Sequence, residues 1–432
     1  MADAVVVATI KDLTHDGRGV ADIDGRRLFV TGALPGEEVE LVPGRRRSRH
    51  DAELVRIARA SPVRVTPPCE FFGRCGGCAL QHMSYEAQVE FKQNVVSQAF
   101  VRIAGLEPRR WLAPATAEPW AYRRRARLGA RYVEAKSRVL VGFRERASSY
   151  ITDMTHCSVL APPVGQALGA LAETIGACDA SRRLPQIETA LGEDSGALVF
   201  RVLGELTDRD RDRLAAFSQD RGLHGYVQTG GPGSVRPLGL EPPAPLYYEL
   251  PAFDLRIEFA PTDFVQVNAA INALMVDSAV EQAGLGGRER VLDLFCGIGN
   301  FSLPFARRAG VVVGAEGDAG LVARAAHNAR ANGIDNATFV TADLSEPDWS
   351  FLRERWDVIV LDPPRSGAAA IIPNVATMAP RRIVYVSCHP ATLARDAKAL
   401  CEAYPYRLMT ARIFDMFPNT HHVEAMAVFD RI

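Results

Sequence analysis

The chain has 432 residues, enough for two or three domains with sizeable cores. Its 47% hydrophobic and 23% charged residues are ordinary for a globular protein, and no run reaches the roughly 18 apolar residues of a spanning helix, so no membrane partner is expected. The net charge of −1 excludes a uniformly basic chain. The charge is uneven, however: "GRRRSRH" (44–50) and "YRRRARLGARY" (122–132) are basic. Such runs are most often solvated faces, but two of them keep a nucleic-acid partner in play. The opening "MADAVVVATIKDLTHDGRG" has no basic segment ahead of a long apolar run, and the eight cysteines are unevenly spaced. Neither a secretory signal nor a secreted disulfide framework is expected, and the expected setting is cytoplasmic.

Residues 4–60 read as a small β unit of five short alternating runs broken by Gly, Asp and Pro, a pattern that predicts a barrel. A Pro- and Gly-rich break (61–83) carries three cysteines. "SYEAQVEFKQNVVSQAFVRIAG" (84–105) predicts a helix, with Ser84 and Glu86 at its start and apolar residues three and four apart. From 120 to 255 the pattern is mixed and strand-rich, with helical stretches near 163–176 and 207–220. Beyond about 262 apolar strands alternate with helices: "RVLDLFCGIGNF", "VVVGAEG", "LVARAAHNARANG", "NATFVTAD", "WDVIVLDPP" and "RRIVYVSCHP". That alternation predicts a parallel, doubly wound sheet, closed by two strands in the last 27 residues that form an antiparallel hairpin. Three domains follow, at 1–61, 62–258 and 259–432, with the segment of about 88–120 expected to pack on the third.

In a doubly wound sheet, ligands bind beyond the carboxyl ends of the strands. "DLFCGIGN" places Gly297 and Gly299 at the first such end, and Glu316 follows the second strand, where it can bind ribose hydroxyls. The third and fourth strands end at Asp343 and Asp362. Any one of these acids alone would read as a helix cap; four consecutive strand ends of this kind do not. The turn C-G-I-G-N-F is not a dinucleotide fingerprint, and no phosphate-binding lysine accompanies it. A ligand with ribose and adenine but no phosphates suits an acid-lined site, and S-adenosylmethionine is that ligand.

Cys388 sits at the fifth strand end, beside this pocket. A free cysteine is usually inert core, but here it shares an edge with Asp362 and a methyl donor. Carbon 5 of a pyrimidine is a poor nucleophile; a thiolate added to carbon 6 makes an enolate whose carbon 5 can attack a sulfonium methyl. The scheme requires a base to remove the carbon 5 proton, and "HHVEAM" offers Glu424, with His421 and His422 as competitors. "CEFFGRCGGC" gives Cys69, Cys75 and Cys78 within one loop, and "THCSVL" offers Cys157 as a fourth ligand. Four thiolates suit zinc or a [4Fe–4S] cluster, and spacing favours neither. Cys296, Cys178 and Cys401 read as packing or surface residues.

"LDLFCGIGNF", "LDPPRSG", "VSCHPATLARD", "FVQVN" and "HHVEAM" resemble the motifs of the uracil-5 RNA methyltransferase family, and "GRGVA" with "GALPGEEV" resembles the TRAM domain of some members. Within that family the chain resembles the TRAM-bearing, iron–sulfur branch that methylates 23S ribosomal RNA. The likeness covers both ends and the cysteine cluster and is weak between about 165 and 255. It implies an α/β fold: a Rossmann-like class I methyltransferase domain with a terminal antiparallel hairpin, an N-terminal OB-like β-barrel and an α+β central iron–sulfur domain. By resemblance Cys388 is the nucleophile and Glu424 the base, while Gln266, Phe295, Asn300, Glu316, Asp343 and Asp362 contact the cofactor or target base. The same resemblance selects a [4Fe–4S] cluster on Cys69, Cys75, Cys78 and Cys157. Where the family often has S-C-N-P, this chain has His389.

A target uracil must be flipped out for a thiol to reach carbon 6, and structured RNA is held through splayed loops and phosphates. The barrel, the loop 44–50 and Arg123, Arg124, Arg125, Arg127 and Arg131 are the expected phosphate contacts. No obligate protein partner is indicated. Three rivals remain: the transfer-RNA T-loop as substrate, methylation of an exocyclic amine, and a non-catalytic RNA-binding assembly factor. "DPP" fits the amine reaction, but Arg365 stands where that chemistry wants an aromatic ring, and it has no use for Cys388.

Overall fold

The structure, a computed structural model, describes residues 5–44, 50–239, 243–344 and 354–432. Alternating burial along the first strands turns Ala8, Ile10, Ala21, Leu28, Val30, Val39 and Leu41 into one small core. The sheet has six strands rather than five, because the first run breaks into Val6–Thr9 and Asp12–Leu13. Val6–Thr9 pairs with Glu38–Pro43, and Asp12–Leu13 pairs with Gly19–Ile23 at the opposite edge. One bent run thus supplies both edges and closes the barrel, which leaves no long unpaired edge.

A second six-stranded sheet, of Arg125–Val133, Arg138–Gly142, Gln186–Leu191, Gly196–Arg201, Leu223–Gln228 and Val235–Pro237, forms the centre of the chain. One of its pairs, Gly196–Arg201 with Leu223–Gln228, is parallel. The helix Asp208–Gln219 makes that crossover, capped by Thr207, whose side chain accepts from the Asp210 N–H.

The third sheet contains β1 (Arg290–Leu294), β2 (Val311–Glu316), β3 (Ala337–Thr341), β4 (Val358–Leu361), β5 (Arg382–Ser387), β6 (Tyr406–Phe414) and β7 (Glu424–Arg431). Their order is β3-β2-β1-β4-β5-β7-β6, and Arg110–Trp111 adds a short parallel edge beside β6. The first five strands are parallel, and β7 enters antiparallel between β5 and β6. Strands β1, β4 and β5 are almost wholly buried, which their near-continuous apolar runs require of a sheet covered on both faces.

Helix α1 (Tyr85–Ala99), α2 (Ala269–Ala283), α3 (Ala319–Ala331) and α4 (Pro390–Ala403) frame the site described next. Ser84 caps α1 by accepting from the Ala87 N–H. Val96 and Phe100, at and just beyond the end of α1, pack into the core under α4. The strands Leu246–Leu250 and Leu255–Phe259 bury their apolar residues in the core of this third unit. No helix of the described residues is long and apolar enough to cross a membrane.

Candidate active site

At the end of β1 the chain reverses through Phe295 (φ 66°), Gly297 (φ 55°) and Gly299 (φ 95°). A Cβ on Gly299 would meet Leu303 at 3.0 Å in a conformation that L side chains rarely adopt, so glycine is required there. Gly297 faces open space and donates its N–H to Glu316 at 3.2 Å, while the other carboxylate oxygen of Glu316 accepts from the Asp318 N–H at 3.1 Å. Glu316 is therefore fixed beside the turn. Asn300 accepts from the Tyr248 hydroxyl and from Asn272 Nδ2, both at 2.9 Å, and donates to Asn272 Oδ1 at 3.0 Å. Asp362 leaves β4 with its N–H 3.4 Å from the Leu294 carbonyl, and desolvation pushes its carboxyl up to about 7.

The remaining two predicted cofactor contacts are placed less tightly. Gln266 is half-buried on the stretch entering α2, where Asn268 caps the helix. Asp343 is exposed, two residues beyond β3. Sequence reasoning missed Asp293, inside β1. It is fully buried and accepts from the Ser302 hydroxyl at 2.5 Å, its second oxygen has no partner, and burial pushes it up to about 7. An acid inside an otherwise apolar strand was the signal.

The thiol lies two strands from β1. Cys388 follows the last residue of β5, and Ser387 pairs with Ala425 of β7, so the next step along the ladder sets Cys388 opposite Glu424. Glu424 is only 4% exposed; burial and the charge of Asp362 lift its carboxyl well above the usual range. Burial and the charge of Glu424 raise the Cys388 thiol, and Arg365 opposes them. Arg365 is a second residue that sequence reasoning underused, having weighed it only against amine methylation. Its loop is clamped from α4: Asp396 accepts from Ala368 N–H at 2.7 Å and from the Tyr385 hydroxyl at 2.6 Å, and Arg395 donates to Ser366 O at 2.9 Å. Gly367 (φ 79°) permits that approach, since a Cβ would meet Asp396 at 2.7 Å.

His389 caps α4, its Nδ1 accepting from Thr392 N–H at 3.3 Å. It thus does for the helix what asparagine would do. The rings of His421 and His422 lie 4.4 Å apart, and burial lowers both, His422 to about 4. Both histidines border a cleft of about 990 Å³ that runs from Cys388 between α1 and the barrel segment Asp12–His15.

Cys69, Cys75, Cys78 and Cys157 are free and line one small cavity with Arg123 and Met154. Burial raises Cys75, Cys157 and Cys78, the last to about 12. Among the described residues no three His, Cys, Asp or Glu side chains are placed to hold a metal ion. Cys296 and Cys178 are buried and Cys401 is half-buried.

Four of the five predicted arginines engage groups of the protein. Arg124 pairs with Glu193 at 2.8 Å, Arg125 donates to Pro261 O at 3.0 Å, Arg127 pairs with Glu188 at 2.9 Å, and Arg123 turns to the cysteine cavity and the Phe143 ring. Strand pairing sets Glu188 opposite Arg127, whose side chain is still 70% exposed. Arg131 is exposed. Of the loop 44–50, residues 45–49 lie outside the described residues.

A seven-stranded sheet of this order, with an acid held at the glycine turn after β1, defines a class I methyltransferase, and a thiol faces a carboxyl at the neighbouring strand ends. Comparison with known proteins agrees. Residues 252–432 match the family model described as tRNA (Uracil-5-)-methyltransferase. The chain is 49% identical over 429 residues to a protein of Alkalilimnicola ehrlichii named 23S rRNA (uracil(1939)-C(5))-methyltransferase, covering 98% of this chain and 96% of that one. A protein of the same name from Methylococcus capsulatus is also 49% identical, covering 99% and 97%. The crystal structure of Pyrococcus abyssi tRNA (uracil-54, C5)-methyltransferase in complex with S-adenosyl-L-homocysteine superposes with a TM-score of 0.75 at 24% identity, covering 98% of this chain and all of that one, and so shares the fold. The chain belongs to the uracil-5 RNA methyltransferase family: it is an enzyme that uses S-adenosylmethionine to methylate carbon 5 of uridine in RNA.

Proposed function

We propose that the RNA is 23S ribosomal RNA and that Cys388 and Glu424 carry the reaction. The names of the relatives support the substrate, at near 49% identity over the whole chain. The observation that carries the chemistry is the facing of Cys388 and Glu424 across the β5–β7 ladder. S-adenosylmethionine supplies an electrophilic sulfonium methyl. Glu316, with Gln266, Phe295, Asn300, Asp343 and Asp362, would hold it and the target base along the strand ends.

The Cys388 thiolate adds to carbon 6, and the electron pair moves to carbon 5, which takes the methyl group as the methyl–sulfonium bond breaks and S-adenosylhomocysteine leaves. Glu424 then removes the carbon 5 proton; the carbon 6–sulfur bond breaks and returns the thiolate. A carboxyl raised by burial is matched to that proton transfer, and Arg365 favours the ionised thiol. The barrel reads as the RNA-binding TRAM domain, the cleft beside Cys388 has a volume of about 990 Å³ in which a flipped nucleotide would lie, and a cytoplasmic setting follows from a ribosomal substrate.

RNA carrying 5-fluorouridine tests the nucleophile. Fluorine cannot leave as a cation, so wild type should form a stable adduct that Cys388→Ser loses; absence of an adduct with wild type would sink the assignment. Mapping 5-methyluridine in 23S and transfer RNA from cells with and without the gene separates the two substrates.

Cys69, Cys75, Cys78 and Cys157 are assigned to a [4Fe–4S] cluster on the donor set, four free thiols around one cavity, and on the motif resemblance. Anaerobically purified protein should be brown and contain iron and sulfide; a colourless protein with one equivalent of zinc overturns the assignment.

A further inference from the structure

The loop 415–423 joins β6 to β7 and delivers Glu424. It is unusually buried for a loop, with Asp415, Asn419 and Thr420 all less than a tenth exposed, so most of its polar groups need a protein partner. Asn419 meets that demand at its centre, in the left-handed conformation (φ 66°) that asparagine and glycine tolerate. Its N–H donates to Gln88 Oε1 at 2.9 Å, and its Oδ1 accepts from Gln88 Nε2 at 3.4 Å. Its Nδ2 donates to the Pro119 carbonyl at 3.0 Å. Its carbonyl accepts from Ala79 N–H at 2.9 Å and Leu80 N–H at 3.0 Å, the two residues that follow Cys78. Lys92 and Tyr122 hold the neighbouring carbonyls of Phe417 and Pro418 at 2.9 and 3.0 Å.

We propose that Asn419 is a positioning residue for the general base: it ties the loop of Glu424 to the cysteine loop, so that the state of the cysteine loop sets where the base stands. The proposal rests on the reading of Cys388 as nucleophile and Glu424 as base. Addition of the thiol and methyl transfer do not need Glu424, whereas removal of the carbon 5 proton does. A displaced loop therefore stalls the enzyme after methylation, with RNA still bonded to Cys388.

Asn419→Val cannot keep a positive φ, while Asn419→Gly keeps the backbone and its carbonyl bonds. With ordinary uridine RNA, Asn419→Val should lose about tenfold or more in kcat with KM for both substrates unchanged, and a covalent protein–RNA band should accumulate on denaturing gels. Asn419→Gly should turn over close to wild type without the band. Wild-type turnover by Asn419→Val, slow turnover without the band, or equal failure of the glycine variant overturns the proposal. If Asn419→Val does not fold, Gln88→Leu removes both bonds from the helix side to Asn419, together with one to the Met83 carbonyl, and must show the band. The underlying reading is scored separately: if wild type forms no adduct with 5-fluorouridine RNA, it is the nucleophile assignment that fails.

Discussion

Cys388 and Glu424 face each other one step beyond the Ser387–Ala425 pair, the thiol at the carboxyl end of β5 and the carboxyl at the start of β7. Only an antiparallel partner beside β5 can do this. A parallel strand would bring its own end, not its beginning, to the same edge. On the roles proposed above, the reversed β7 brings the base to the edge where the parallel strands bring the cofactor ligands.

On the proposed role of Cys388, Arg365 offsets part of the rise that burial and Glu424 impose on the thiol. Burial and the charge of Glu424 raise Cys388, and Arg365 pulls it down. Only the thiolate adds to carbon 6, so kcat/KM rises with pH along its limb. Arg365→Gln removes the opposing charge and should move that limb to higher pH. If the limb moves by about one pH step, activity below it should fall about tenfold. A pH–rate profile of both enzymes measures this; an unmoved limb would mean that the arginine does not act on the thiol.

Binding of the methyl donor should itself depend on pH. Desolvation holds Asp362 up to about 7, so the acid is partly protonated near neutrality. A sulfonium cation favours the ionised form, and affinity should rise as pH increases through about 7. Calorimetry with S-adenosylmethionine should show the rise, S-adenosylhomocysteine should show less of it, and Asp362→Asn should flatten both.

The fully buried ion pair of Lys92 and Asp415, 2.5 Å apart, braces the base loop against α1. Burial alone would lower the lysine and Asp415 opposes that, so the two charges stand or fall together. Lys92→Met leaves an unpaired buried carboxylate and should cost about 3–5 kcal/mol. The double variant Lys92→Met with Asp415→Leu should recover most of it in denaturant titrations. A single variant as stable as wild type would contradict the pairing.

His389 differs from the usual asparagine without losing its structural task. His389→Asn should leave stability unchanged, whereas His389→Ala removes the cap of α4 and should cost about 1 kcal/mol. Thermal unfolding of the two variants distinguishes them.

Much of the catalytic unit was legible because its signals are local. A strand and an acid lie within a few residues at each of β1 to β4, a glycine turn marks β1, and helix α1 announces its start in Ser84. The six-stranded closure of the barrel was not legible, since it turns on one bent run pairing at both edges. Nor was the fate of the arginines. The basic run is visible as charge, but Glu188 stands opposite Arg127 only once Gln186–Leu191 pairs with Arg125–Val133.

The sequence by itself determined the chemistry available: one thiol after β5, one acid at the start of β7, acids at successive strand ends and four further thiols in two loops. Tertiary structure alone decided how those groups act on one another. Gln88 reaches Asn419 across 331 positions of chain, and Arg365 meets Cys388 only because Asp396 and Gly367 fold its loop back onto α4. Contacts of that kind depend on side chains from distant segments sharing one buried volume, and no local pattern of residues encodes that volume.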